Sequence, residues 1–391
     1  MHICHINTRF LRAGCEENTT ITCNGLVARG HRVSLVHGRE FHPDMCSQLD
    51  PAVARHQLPE LVSEISPAQD LIALFTASRL LRKIRPDVVH THTSKAGIIG
   101  RFAARIAGVR HIVHSVHILP FINVPPPHRW LYLQLERLAA RGTTAFIDIS
   151  EAMRDLCVAE RIGDANCHHV VLSGMNTQKF RATSRPADWR TVIDPQLVGV
   201  ADPKFLLLAG IFEPRKRQRD FLPVFRRIAN VDPHAVLLLA GEGKDKAAVE
   251  ATIEQLGLTG RALCLGFRLD LEQLIALAHV CLQTSMREGL PRTVIQYALC
   301  GRAIVSTAMP GIDRIVVQGE TGFLVPLDDL GSMEAPILSL LNDIGLRQAM
   351  EDAARRLDLS GWDARQMVEQ IDAIYEGIVR SGSGAAIAER R

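Results

Sequence analysis

Short apolar runs punctuate this chain, and between them apolar positions recur at helical spacing. In the first half the runs are His2–Asn7, Arg32–His37, Asp87–His92, His111–His117, Ala145–Ile149 and His169–Leu172. The second half repeats the rhythm with Lys204–Ala209, Ala235–Ala240, Ala262–Gly266, Val280–Gln283, Ala303–Ser306 and Gly322–Val325. Runs of this length, apolar on both faces and alternating with helices, predict parallel sheets covered on both sides. Arg181 to Pro203 breaks the rhythm: it carries Pro186, Pro195 and Pro203 and little periodicity, and reads as a linker. The expectation is an α/β protein of two doubly wound, Rossmann-like domains, 1–185 and 200–362. A helix over 363–380 and a disordered Ser/Gly/Ala-rich tail over 381–391 would follow. Ligands of such folds sit at the carboxyl ends of the strands, here in a cleft where the two sheets face.

Composition narrows the class. The chain has 391 residues, enough for two cores, and its 47% apolar and 22% charged content excludes a disordered or fibrous protein. A net charge of +3 is too mild to argue for a nucleic-acid partner. Nine cysteines occur without a C-x-x-C pair, so they read as small buried hydrophobes in a reducing compartment, neither disulfides nor zinc ligands. The first residues have the pattern of a strand and not of a signal peptide, and no apolar run reaches membrane-spanning length. A cytoplasmic protein is expected, with peripheral contact to an anionic membrane left open.

Chemistry concentrates after strand ends. From Ser285 the chain makes a Glu288-Gly289-Leu290-Pro291 turn and enters a helix at about Thr293, which Gly301 closes. That turn presents a carboxylate and free backbone N–H groups at a helix N-terminus, a site able to hold sugar hydroxyls and a phosphate together. Gly210 to Arg217 follows another strand and carries Arg215, Lys216 and Arg217, a basic loop suited to phosphate. After the first strand, Gly14 opens a helix and lets backbone approach a ligand. Thr91 to Arg101 ends a strand and begins a helix; its Arg101, with Arg105 and Arg110, reads as solvated or as touching anionic lipid. His111, His114 and His117 alternate along one strand; His111 reads as structural and His114 is undecided. No Asp-x-Asp pair stands at a strand end to hold a metal–diphosphate, so no metal is expected.

These motifs together resemble retaining glycosyltransferase family 4, the group 1 glycosyl transferases of GT-B architecture, in their bacterial polysaccharide and lipopolysaccharide branch. The resemblance runs through nearly the whole chain and is densest from Leu206 to Pro326. It implies a sugar transfer from a nucleotide-diphosphate donor, a UDP-sugar before a GDP-sugar, to a glycan or lipid-linked glycan, with retention and without metal. By the same resemblance Lys216 clamps the donor diphosphate with help from Arg215, Glu288 orients the sugar, and the backbone from Gly289 through Leu290, Pro291 and Arg292 to Thr293 receives the phosphate. Gln296 stands where the family has a ribose-binding Glu. Gly14 and His117 come from the first domain, His117 as a donor-site histidine. The helix after the second domain crosses back onto the first. Two positions depart from the pattern: Ile211 replaces the phosphate-binding Arg, and Gln296 replaces Glu. A nucleotide-sugar epimerase of the same architecture and an inactive sugar-nucleotide-binding partner are the competing readings.

Overall fold

The computed structural model describes residues 1–117, 119, 126–286, 288 and 291–388. It divides into two compact units: Met1–Met175 with the chain from Ser360 onward, and Asn176–Leu359.

The first unit is a seven-stranded parallel sheet: β1 (His2–Asn7), β2 (Arg32–His37), β3 (Ala54–Gln57), β4 (Val88–His92), β5 (His111–Val116), β6 (Ala145–Asp148) and β7 (His168–Val170). Spatial order is β3-β2-β1-β4-β5-β6-β7, so the winding reverses between β1 and β4. All residues of β1 and β4 are buried, which is why both read as unbroken runs. One sheet face packs Ile3, Val33, Leu35, Val113 and Ile147; the other packs Cys4, Ile6, Val36 and Val89. The helix Ala364–Ala388 closes the former face with Met367, Val368, Ile371 and Tyr375. It lies so close to the helix Gly14–Ala28 that a Cβ on Gly25 would come within 2.6 Å of Val368 Cγ2. Asp372, itself buried, is 2.5 Å from Arg29 Nε and 2.8 Å from His31 Nε2. The helix runs to Ala388, eight residues past the expected stop at 380 and into the segment expected to be disordered.

The second unit is a six-stranded parallel sheet: β8 (Lys204–Ala209), β9 (Ala235–Ala240), β10 (Ala262–Cys264), β11 (Val280–Gln283), β12 (Ile304–Thr307) and β13 (Gly322–Val325). Its order is β10-β9-β8-β11-β12-β13, with the reversal between β8 and β11. A core of Leu206, Leu208, Leu237, Leu239, Leu282 and Val305 against Phe221, Phe225 and Ile337 covers one face.

Every run named from the sequence overlaps a strand, with some ends trimmed, β7 beginning one residue earlier and β12 shifted on by one. The pattern missed β3, whose sequence Ala-Arg-His-Gln is exposed at three of four positions at the sheet edge, so no apolar signal marks it. Arg181–Pro203 is not a free linker. It packs onto the second unit as short 3₁₀ turns, with Ile193 buried and Trp189 edge-on to Phe205 at 5.7 Å. Turns of three residues carry no readable period, which is why this segment looked like a connector.

Candidate active site

In the second unit the chemistry gathers at the reversal between β8 and β11, where open α/β sheets take their ligands. After β8, Gly210 approaches the neighbouring loop so closely that a Cβ on Gly241 would lie 2.0 Å from the Gly210 carbonyl oxygen. Only a residue without a side chain fits at Gly241, where φ is also 150°. The chain then makes the turn Pro214–Lys216, and Arg217 reverses it through a left-handed conformation (φ 60°, ψ 28°) into the helix Gln218–Val231. Two bonds lace this loop to the segment after β11: Thr284 Oγ1 donates to the Lys216 carbonyl at 2.5 Å, and Met286 N–H donates to that of Arg215 at 2.9 Å.

The lacing brings three donors onto one oxygen. Lys216 Nζ contacts Glu288 Oε1, Arg215 Nη1 is 3.1 Å from it, and Ser285 Oγ donates to it at 3.1 Å. Arg215 is held from its other side by Glu213 at 2.8 Å. Burial disfavours the Arg215 charge, but Glu288 and Glu213 outweigh it and raise its pKa. The Lys216 and Glu288 side chains are only 11% and 12% exposed, so their attraction is weakly screened.

Pro291 caps the helix Arg292–Leu299, which therefore carries Arg292 and Thr293 in its first turn and Gln296 one turn on. Gln296 is buried at 7% exposure. Tyr297, on the same helix, accepts the Ala209 N–H at 2.9 Å and so ties the helix to the end of β8. Ile211 is 36% exposed, with its carbonyl accepting from Gln218 Nε2 at 2.9 Å. Gly289 and Leu290 lie outside the described residues. Thr284, Ser285 and Tyr297 were not singled out from the sequence; the first two are signalled only by being polar directly after a buried strand.

In the first unit, Gly14 opens the helix Gly14–Ala28 behind Ala13, which has no side-chain cap. The first turn already contains Glu16 and Glu17, whose carboxylates suit the helix dipole. Glu16 is buried, which raises its pKa, and stands 3.7 Å from Arg9. His117 follows β5, and its Nε2 is 3.2 Å from Nδ1 of His92. His114 is a core residue: it bonds Thr91 Oγ1 at 2.9 Å, and a Cβ on Gly97 would strike its ring at 2.5 Å. Arg101 is not solvated and cannot reach lipid. It is fully buried, paired with Glu136, and donates from Nε to the Gly97 carbonyl at 2.7 Å. Thr93, directly after β4, holds φ 60° and ψ 164°, a conformation that β-branched residues avoid and that collects at functional sites.

No helix among the described residues is long and apolar enough to cross a membrane. Residues 190–357 match the family described as glycosyl transferases group 1, and residues 13–174 match the glycosyl transferase 4-like domain. The UDP-Gal:alpha-D-GlcNAc-diphosphoundecaprenol alpha-1,3-galactosyltransferase of Escherichia coli is 27% identical over 336 residues, 85% of this chain and 86% of its own. The capsular polysaccharide biosynthesis glycosyltransferase CapM of Staphylococcus aureus is 22% identical over 344 residues, 86% of this chain and 88% of its own. Among solved structures, Anabaena HepE superposes with a TM-score of 0.80 at 20% identity, covering 96% of this chain and 100% of its own. WaaG, a glycosyltransferase involved in lipopolysaccharide biosynthesis, superposes at 0.76 with 14% identity, 96% of this chain and 100% of its own. With two parallel-sheet units, both domain types matched in sequence and these neighbours in fold, the chain belongs to the group 1 glycosyl transferases and is a glycosyltransferase of the GT-B type.

Proposed function

We propose that this glycosyltransferase moves a hexose from a UDP-sugar to a lipid-linked glycan, with retention and without a metal ion. The convergence of Lys216, Arg215 and Ser285 on Glu288 at the β8/β11 reversal carries the reading. A cation and a carboxylate side by side at the strand ends suit a substrate that is anionic at one end and hydroxylated at the other. Lys216 and Arg215 would take the diphosphate, Glu288 the sugar hydroxyls, and the helix N-terminus at Pro291 to Thr293 the distal phosphate. Gln296, one turn deeper, would meet the ribose. Gly14 and His117 would serve from the first unit, His117 on the donor sugar. In the transfer the C1–O bond to the diphosphate breaks as the acceptor oxygen bonds C1 on the same face. The acceptor proton passes to the departing phosphate, and Lys216 stabilises the charge that develops there.

The choice of a UDP-sugar and a lipid-linked acceptor leans on the Escherichia coli relative, named for UDP-Gal and a diphosphoundecaprenol acceptor, and on HepE, solved with UDP and with UDP-glucose. The decisive experiment is a thermal shift against UDP-, GDP- and ADP-sugars, followed by release of free nucleotide with a polyprenyl-diphosphate-linked sugar. A ligand at a hundred times its Kd stabilises by about 2.7 kcal/mol. Stabilisation by a UDP-sugar, acceptor-dependent UDP release and a product of unchanged anomeric configuration are expected. Conversion of the sugar nucleotide alone would indicate an epimerase. Binding without release on any acceptor would make Ile211 and Gln296 the marks of an inactive binder.

A further inference from the structure

The strand ends that frame the candidate site are joined by little ladder. The register of β11 on β8 ends at Cys281 and Leu207, yet β11 runs on to Gln283 and β8 to Ala209. An early end to pairing at a reversal is what leaves a crevice for ligand. It also leaves backbone groups on the two edges without ladder partners, and buried groups of that kind must find others. Side chains supply them. Tyr297 Oη takes the Ala209 N–H, Gln218 Nε2 donates to the Ile211 carbonyl, and Thr284 Oγ1 donates to the Lys216 carbonyl at 2.5 Å.

On its other side β11 pairs with β12 as far as Gln283 and Ser306. One residue past that pair, Thr307 Oγ1 donates to the Ser285 carbonyl at 2.8 Å, so a hydroxyl prolongs the ladder. Thr307 is itself well anchored, because its backbone is in register with Val325 of β13.

Thr284, Ser285 and Thr307 are fully buried. A carbonyl oxygen can only accept, so the threonine hydroxyl is the donor in both bonds. The two bonds reach different ends of the site. Thr284 acts with the Met286 N–H, which donates to the Arg215 carbonyl at 2.9 Å. Together they clamp two successive peptides of the Pro214–Lys216 turn and so set where Lys216 stands. Thr307 sets Ser285, whose own hydroxyl donates to Glu288 Oε1 at 3.1 Å. Lys216 and Glu288 stand on loops after different strands, so their contact depends on how these loops are held.

We propose that Thr284 and Thr307 are positioning residues for the sugar transfer: the Thr284 hydroxyl holds Lys216, and the Thr307 hydroxyl, through Ser285, holds Glu288. This rests on the reading of Lys216 as the diphosphate group and Glu288 as the sugar group. A hydroxyl that did no more than satisfy a buried carbonyl would act on stability alone, whereas a positioning hydroxyl acts on one end of the donor.

The test compares Thr→Val, which keeps the shape and removes the hydroxyl, with Thr→Ser, which keeps the hydroxyl, at each position in the full-length protein. UDP, which lacks the sugar, is titrated calorimetrically. Beside it, kcat/KM for the UDP-sugar is measured with the polyprenyl-diphosphate-linked acceptor. Thr284→Val should weaken UDP binding and lower kcat/KM, each by about tenfold, as for one lost hydrogen bond. Thr307→Val should leave UDP affinity as in wild type and lower kcat/KM by about tenfold. The Ser variants should recover most of these losses. A measurement without ligand separates the two hydroxyls from the reading they rest on: the coupling of Lys216→Met with Glu288→Gln in urea unfolding. That coupling should be lost in a Thr284→Val background and kept in Thr284→Ser. Coupling undiminished by Thr284→Val, or equal losses of UDP affinity in both Val variants, overturns the proposal. Wild-type UDP affinity in Lys216→Ala would instead overturn the assignment of Lys216 to the diphosphate, and the coupling result would then decide whether Thr284 holds Lys216.

Discussion

Lys216 donates its ammonium proton to Glu288, so two groups assigned to opposite ends of one substrate satisfy each other in the protein itself. A diphosphate would draw Lys216 from Glu288 and release the carboxylate for sugar hydroxyls in the same movement. Binding of the anionic end would thereby prepare recognition of the neutral end.

Removal of either partner should therefore act on both ends. Lys216→Ala and Glu288→Ala are expected to lower turnover by about 10²-fold or more, the effect of one well-placed electrostatic group. Both lie on loops after strands, so no core cavity opens. Stability offers a second readout: Glu288→Gln takes the carboxylate from the nearly buried Lys216, whereas Lys216→Met leaves Glu288 to Arg215 and Ser285, and a cycle joining them should show coupling of about 1 kcal/mol. Urea unfolding checks the cycle, and nucleotide release checks turnover. A folded Lys216→Ala enzyme at full rate would hand the phosphate to Arg215.

Donor affinity should be indifferent to chelation. Lys216 and Arg215 already supply countercharge at the β8/β11 reversal, and the residues around them are not a set of carboxylates that would gather a dication. Isothermal titration of a UDP-sugar with and without EDTA measures this directly. A tenfold weakening on chelation would contradict it.

Ile211 and Gln296 should act as a compensating pair. By the resemblance read from the sequence, one position would lose a positive charge and the other a negative one. Gln296→Ala is expected to weaken nucleotide binding by about tenfold, since a neutral hydrogen bond contributes about 1 kcal/mol. Gln296→Glu alone should change little. Ile211, being 36% exposed, can be replaced by Arg without overpacking, and the Ile211→Arg/Gln296→Glu double variant should bind more tightly than the sum of its singles. Strict additivity would end the idea of compensation.

Acid should loosen the first unit before the second. Burial lowers the pKa of His5 to about 3 and drives His90, His92 and His114 well below 6.5. Unfolded, these groups bind protons near pH 6.5, whereas folded they stay neutral, so stability falls as pH drops from 6.5 toward the folded values. Each contributes about 1.4 kcal/mol per pH unit across that window. His168 works the other way. Burial lowers its pKa, but the hydrogen bond and charge of Asp148 raise it overall, so its contribution is complete below 6.5 and lost as pH rises through the higher folded value. In the second unit His279 alone among the described histidines is pushed down, to about 3. Hydrogen exchange at pH 7 and pH 5 should show β1 and β4 losing protection while β8 and β11 hold theirs.

The legible parts of the molecule were those whose physics is local. Strands buried on both faces announce themselves as apolar runs, and Lys216 and Glu288 stand on the loops that follow β8 and β11. Edge strand β3 is exposed, so it lacks that signal. Arg101 looked like one more solvated arginine on a helix, because Glu136, which buries it, comes from a helix far along the chain. His5 gave the least warning. Nothing in Met-His-Ile-Cys-His-Ile distinguishes it from a core histidine, and its contact with His92, 2.9 Å between ring nitrogens, exists only through the register of β1 on β4.

The helix Ala364–Ala388 closes the core of the first unit from the far end of the polypeptide. Synthesis therefore delivers Ile3, Leu35 and Val113 long before Val368, Ile371 and Tyr375 arrive to cover them. The second unit is continuous from Asn176 to Leu359 and can complete itself as it emerges. The unit begun before the second is completed only after it, and until the helix Ala364–Ala388 docks, the nascent chain must keep an apolar sheet face from neighbouring chains on the ribosome.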